Sequence, residues 1–153
     1  MRASKTLVWI ARILIAAVLA MNLICALEFI LRPRLYQGAY ELSGEIGAAV
    51  IIGFGILFLM WQVPYFFAVA DPYRHKISLI SALLMQAIGF VGESLLYRTI
   101  SPDHALLRSS VLRFIVFDGG GLLGLIIALL LVRAEKKNSG KAGLGSVKFF
   151  SHI

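Results

Sequence analysis

Polar residues in this chain gather in short clusters, and between them run four long apolar stretches, about Leu7–Leu31, Ile46–Ala70, Ile77–Tyr97 and Val111–Val132. None alternates apolar and polar with a period of two, as a barrel strand would, so the pattern predicts helices. At ~1.5 Å of rise per residue, even the shortest stretch crosses the ~30 Å hydrocarbon core of a bilayer. A helix also pairs its backbone N–H and C=O groups within one segment, which lipid demands. The expected fold class is all-α, a polytopic membrane four-helix bundle over residues 1–132 with both termini cytoplasmic. Residues 133–153, rich in Lys, Gly and Ser, read as a flexible basic cytoplasmic tail whose Phe149 and Phe150 dip into the inner leaflet.

Turn chemistry sets the expected boundaries. Arg32-Pro33 closes the first helix, because the residue before proline disfavours the α conformation. The connection Arg32 to Glu45 is the longest and is the candidate for a short interfacial helix or lid. Asp71-Pro72 reads as N-cap plus first helical residue, and Ser101-Pro102-Asp103 repeats the device, so helices three and four are expected to begin there. Pro64, inside the second span, predicts a kink around Met60–Pro64.

Composition narrows the class. With 59% hydrophobic residues and a mean hydropathy of +0.87, a soluble domain of this size could not hide its apolar surface. The net charge of +7 does not point to nucleic acid, because the cations are spread over loops and tail. With a cytoplasmic N-terminus, Arg2, Lys5, Arg74, Lys76, Arg133, Lys136, Lys137, Lys141 and Lys148 lie inside, against Arg32, Arg34, Arg98 and Arg108 outside. That bias orients the chain in the cell (cytoplasmic or inner) membrane. Met1–Lys5 followed by an apolar run resembles a secretory signal, but the run is long and its cleavage site poor, so an uncleaved helix is expected. Trp9, Trp61, Tyr65 and Tyr73 belong to the inner interface on this scheme; Tyr36, Tyr40 and Tyr97 belong to the outer.

One cysteine, Cys25, excludes an intrachain disulfide or a CxxC pair, and His75, His104 and His152 all lie in loops or tail. No cofactor and no metal site are therefore expected. The chemistry must come from polar residues within the spans, since a charge there costs at least ~2.5–3.5 kcal/mol on insertion scales. Gln86, Gly89, Glu93 and Tyr97 recur at helical spacing and share one face. Glu28, Gln86, Glu93, Arg113 and Asp118 are expected to form a polar cluster in the outer half, with Arg113 compensating one or two carboxylates. The alternative to a ligand site is an interhelical salt bridge that fixes packing. Arg12 reads as an anchor snorkelling to phosphates, and the amides Asn22, Gln62 and Gln86 as glue between helices. Gly53, Gly55, Gly89, Gly120 and Gly124 are the candidate packing glycines, Gly120 and Gly124 forming a GxxxG.

An early arginine in helix one (Arg12), the Glu45-Ile46-Gly47 opening of helix two with Gly53 and Gly55, and the basic turn Tyr73-Arg74-His75-Lys76 together resemble the DoxX-like group of small four-helix bacterial membrane proteins. The resemblance covers about Leu7 to Val132. It implies a bundle and an accessory role near redox or respiratory-chain complexes, and transfers no catalytic residue. Three functions follow in order: an accessory or scaffold component of a membrane complex; a transporter or lipid- or small-molecule-binding protein with a polar cavity in the outer half; and a membrane enzyme on a lipidic substrate. The partners expected are membrane lipids, other membrane subunits or further copies of the chain, and no nucleic acid.

Overall fold

The computed structural model describes the backbone of residues 3–149 and the side chains of residues 6–135. The elements are α1 (Ala3–Leu31), α2 (Pro33–Tyr36), a 3-10 turn (Gln37–Tyr40), α3 (Gly44–Trp61), α4 (Val63–Ala70), α5 (Lys76–Thr99) and α6 (Ala105–Phe149). No strand occurs among the described residues. Four stretches are long and apolar enough to cross a membrane: Thr6–Leu31, Gly44–Ala70, Lys76–Thr99 and Ala105–Glu135. Large apolar side chains point outward from them, Ile13 at 63%, Ile88 at 70% and Val116 at 69% exposure. Water would oppose an apolar surface of that extent, and lipid accepts it. The chain has the build of a multi-pass membrane protein.

Helix α1 packs against α6, α3 and α4, while α5 packs against α6 and α4. The tightest core lies toward the end where α4 turns into α5. There Ala11, Ile15, Val18 and Leu19 of α1 meet Tyr65 and Ala68 of α4, Leu79 and Ala82 of α5, and Leu125, Ala128, Leu129 and Val132 of α6. An alanine on each of these four helices lets the backbones approach. Toward the other end the residues become aromatic and the packing opens.

The expected kink is a one-residue break at Gln62, which itself keeps helical angles (φ −77°, ψ −13°). Helix α3 ends at Trp61 and α4 begins at Val63, with Pro64 in its first turn. The Gln62 N–H bonds back only three residues, to the Leu59 carbonyl at 3.1 Å. Phe58 thereby loses its usual i+4 donor, and the Gln62 side-chain amide supplies one at 2.8 Å. This amide repairs its own helix and does not bridge two. Arg32-Pro33 ends α1 as expected, and the long connection does fold into a short helical segment. Asp71 differs. Its Oδ1 accepts from the N–H groups of Tyr73 and Arg74, both at 3.0 Å, so it caps a tight turn, and α5 starts only at Lys76. Helix α6 likewise waits until Ala105. Its backbone then stays helical through Phe149; the side chain of Phe149 and all of Phe150 lie outside the described residues.

Arginines finish two helices. Arg12 Nε donates to the Val69 carbonyl at the end of α4 (2.8 Å) while its guanidinium lies 4.5 Å from the Trp9 ring centre. Arg108 does the same for α5, donating to the carbonyls of Tyr97 (3.2 Å) and Ile100 (2.6 Å) and stacking on the Tyr97 ring. Each places a cation on carbonyls at a helix C-terminus, where the dipole favours it. Arg12, expected as a snorkelling anchor, is therefore a tertiary tie between α1 and the end of α4.

Candidate functional site

Break and glycines together put three polar side chains in line. Tyr65, the first buried residue after the break, donates its hydroxyl to Gln86 Oε1 at 2.6 Å and lies 3.2 Å from the Ala82 carbonyl. Gln86 Nε2 donates in turn to Asp118 Oδ1 at 2.8 Å. Only glycine at 89 allows this, because a Cβ there would fall on the Asp118 carboxylate. Only glycine at 121 admits the Gln86 amide, which would lie 2.7 Å from a Cβ at that position. The result is a relay from α4 through α5 to α6, with Gln86 only 4% exposed. Tyr65, expected at the interface, is 2% exposed and belongs to this interior relay.

Beside the relay is a chamber of about 40 Å³, room for a few waters. Asn22, Cys25, Trp61, Gln62 and Asp118 border it together with Phe58, Phe114 and Phe117. Cys25, Phe114 and Phe117 also border a second chamber of about 340 Å³, walled by Phe29, Tyr36, Tyr40, Ser110 and Arg113. The two spaces thus adjoin across one ring of side chains. The aromatics pack as a cluster, with Phe114 centred 5.8 Å from Phe58, 6.1 Å from Phe29 and 6.4 Å from Tyr40. The wider chamber lies under the segment Pro33–Leu42, called the strap below. Burial pushes the Tyr40 phenol up, so it stays a neutral hydrogen-bond donor.

The strap is fastened to the start of α6. Glu41, in the left-handed region at φ 57°, pairs with His104 Nδ1 at 2.5 Å and accepts the Leu107 N–H at 3.3 Å. Ser110 Oγ donates to the Ala39 carbonyl at 2.6 Å. The positive φ is that of a left-handed C-cap: Glu41 ends the 3-10 turn with its N–H on the Gln37 and Gly38 carbonyls. The hydrogen bond from His104 holds the Glu41 carboxyl below the usual carboxylate range.

The expected polar cluster divides. Gln86 and Asp118 are joined directly. Glu93, one turn beyond Gly89 on the same face, has a buried Oε2 without a hydrogen-bond partner. Glu28 does not join them: it faces Arg32 at 3.4 Å and accepts the Tyr36 hydroxyl at 3.1 Å. Arg113 compensates no carboxylate among the described residues, where the ion pairs are Arg32–Glu28 and His104–Glu41. It is exposed, and its Nη2 donates to Ser110 Oγ at 3.1 Å. The physical reason is rotation: Arg113 and Asp118 are five residues apart, about 140° around a helix at 100° per residue. They cannot share a face.

Glycine roles shift in the same way. Gly55 is a close contact, its missing Cβ lying 2.8 Å from the Ala26 carbonyl and Ile30. Gly124 faces Val18 at ordinary distance, whereas Gly53 and Gly120 open onto empty space and are not packing residues within the chain. On α6 the tight contacts fall at Gly121, against Gln86, and Gly119, against Phe90, and not at Gly120. Phe58, Tyr65, Phe114 and Cys25 as chamber residues escaped the sequence reading; phenylalanines on apolar helices carry no signal separating a wall from a lipid-facing surface. Comparison of the chain with protein-family models, with curated proteins and with solved structures finds no match.

Proposed function

We infer that this chain is a four-helix membrane bundle, with both termini on the cytoplasmic side of a cell membrane, that binds a small ring-bearing amphiphile entering beneath the strap. The observation that carries this is the aromatic chamber adjoining a water-sized polar one at Asp118. Chambers of several hundred cubic ångströms, mostly apolar and with a few placed polar groups, are the usual form of small-molecule sites. Rings stack against Phe29, Tyr40 and Phe114. A polar end reaches toward Asp118, directly or through water, and donates a hydrogen bond, because Asp118 already accepts one from Gln86. Orientation rests on the excess of Lys and Arg at the terminal side. Membership of the DoxX-like group rests on Arg12, Glu45-Ile46-Gly47 and the Tyr73–Lys76 turn, and adds no ligand.

An accessory role is the second reading. It is favoured by Gly53 and Gly92, which meet nothing within 4 Å and leave room for a neighbouring helix.

Cys25 borders both chambers and is the single cysteine, which provides the test. In membranes, N-ethylmaleimide is expected to add one adduct to the wild type, and at least tenfold more slowly to Ala39→Phe, which fills the outer chamber. Native mass spectrometry of the wild type released in mild detergent should show a discrete small-molecule adduct that the variant lacks. Equal labelling of both proteins, with no adduct on either, would remove the binding reading and favour the accessory one.

A further inference from the structure

A third cavity lies on the outside of the molecule and shares Arg113 and Phe117 with the border of the aromatic chamber. It is a groove of about 550 Å³ between α1 and α6, with Ala17, Val18 and Met21 on one wall and Val116, Gly120 and Gly124 on the other. Met21, Val116 and Gly120 are exposed, so the groove opens to the surroundings. Nothing from this chain fills it at Gly120, whose missing Cβ meets no atom within 4 Å. Arg113 borders its strap-side end and has no acidic partner among the described residues. One of its five N–H donors is used by Ser110.

Depth and length suit one occupant. Arg113 lies two residues inside the apolar run that starts at Val111, near enough to its end for a long side chain to reach headgroups. From Arg113 to Gly124 the helix advances about 16 Å, close to half of the ~30 Å core and so the thickness of one leaflet. We propose that the groove holds one glycerophospholipid of the strap-side leaflet, its phosphate on Arg113 and an acyl chain lying over Gly120 and Gly124. The guanidinium fork matches phosphate oxygens in geometry and charge, and that contact meets the donors the chain leaves free. The absent side chains at 120 and 124 give the acyl chain its trench. A second copy docked symmetrically through this face fits less well, because a two-fold contact along α6 would bring two Arg113 side chains together with no acid between them.

The test uses the purified full chain in mild detergent, titrated with a phosphatidylglycerol or with the diacylglycerol of the same chains, and read by native mass spectrometry. Phosphatidylglycerol is expected to be retained at least tenfold better than diacylglycerol. Arg113→Gln should abolish that preference. Gly120→Leu, which fills the trench in open space, should lower phosphatidylglycerol retention at least tenfold with Arg113 intact and the melting temperature unchanged. Gly53→Leu, outward elsewhere, should retain the lipid as the wild type does. Equal retention of the two lipids, or wild-type retention in both groove variants, would overturn the proposal. So would a dimer that Gly120→Leu dissociates, which would assign the groove to a second copy.

Discussion

Gln86 is the residue on which the interior depends most. It accepts from Tyr65 and donates to Asp118, so one amide satisfies a hydroxyl on α4 and a carboxyl on α6. Leucine there would leave Asp118 Oδ1 unpaired and Tyr65 with only the Ala82 carbonyl. A lost buried hydrogen bond is worth about 1–2 kcal/mol in these settings. Gln86→Leu should therefore lower the thermal midpoint in detergent clearly, and Asp118→Asn, which keeps an acceptor at Oδ1, should lower it little. Equal effects would mean that charge, not the relay, matters at 118. The polarity of these residues was legible in the sequence, as was the shared face of Gln86, Gly89 and Glu93. Their partners were not. Glu28 looked like a fourth member, yet Arg32 and Tyr36, supplied by the helix end and the strap, take both of its oxygens.

Helix elements show the same division one level up. Apolar run length pointed to four membrane-length helices, the fourth of which starts at Ala105 and not at Val111, and Pro64 marked the break between α3 and α4, because both signals act locally. Which glycines face a neighbour depends on how each helix is rotated, and one residue turns the face by about 100°. Gly55 and Gly53 make the point measurable. A Cβ at 55 must push α3 away from the Ala26 carbonyl of α1, whereas one at 53 meets nothing. Gly55→Ala should destabilise by about 1–3 kcal/mol through overpacking. Gly53→Ala should be neutral or stabilise by up to about 1 kcal/mol through helix propensity. Paired thermal-shift measurements of the two variants check the sign as well as the size.

The whole molecule is dense at the α4–α5 turn and hollow beneath the strap. An apolar core gathers Ile15, Leu79 and Leu125 at one end, while rings and water-sized space occupy the other. The strap's hold on α6 is titratable. Because Glu41 is depressed in the folded state, its contribution is present above the unfolded carboxylate value and lost as pH falls through the lower, folded one. Amide exchange at Leu107, corrected for its intrinsic pH dependence, should speed up in that window for the wild type. Glu41→Gln should exchange faster already at neutral pH and show no such acid step.

Hydropathy and helix length are sums along the chain, so the sequence alone determined that this protein has four membrane-length helices, where they break, and which few polar residues lie within them. Pairing is a relation between helices. It took the crossing of α1, α4, α5 and α6 to decide that Asp118 meets Gln86 over Gly89, that Arg113 pairs with no carboxylate among the described residues, and that ordinary phenylalanines line a chamber. Helix rotation and approach set those contacts, and neither is written in any one segment.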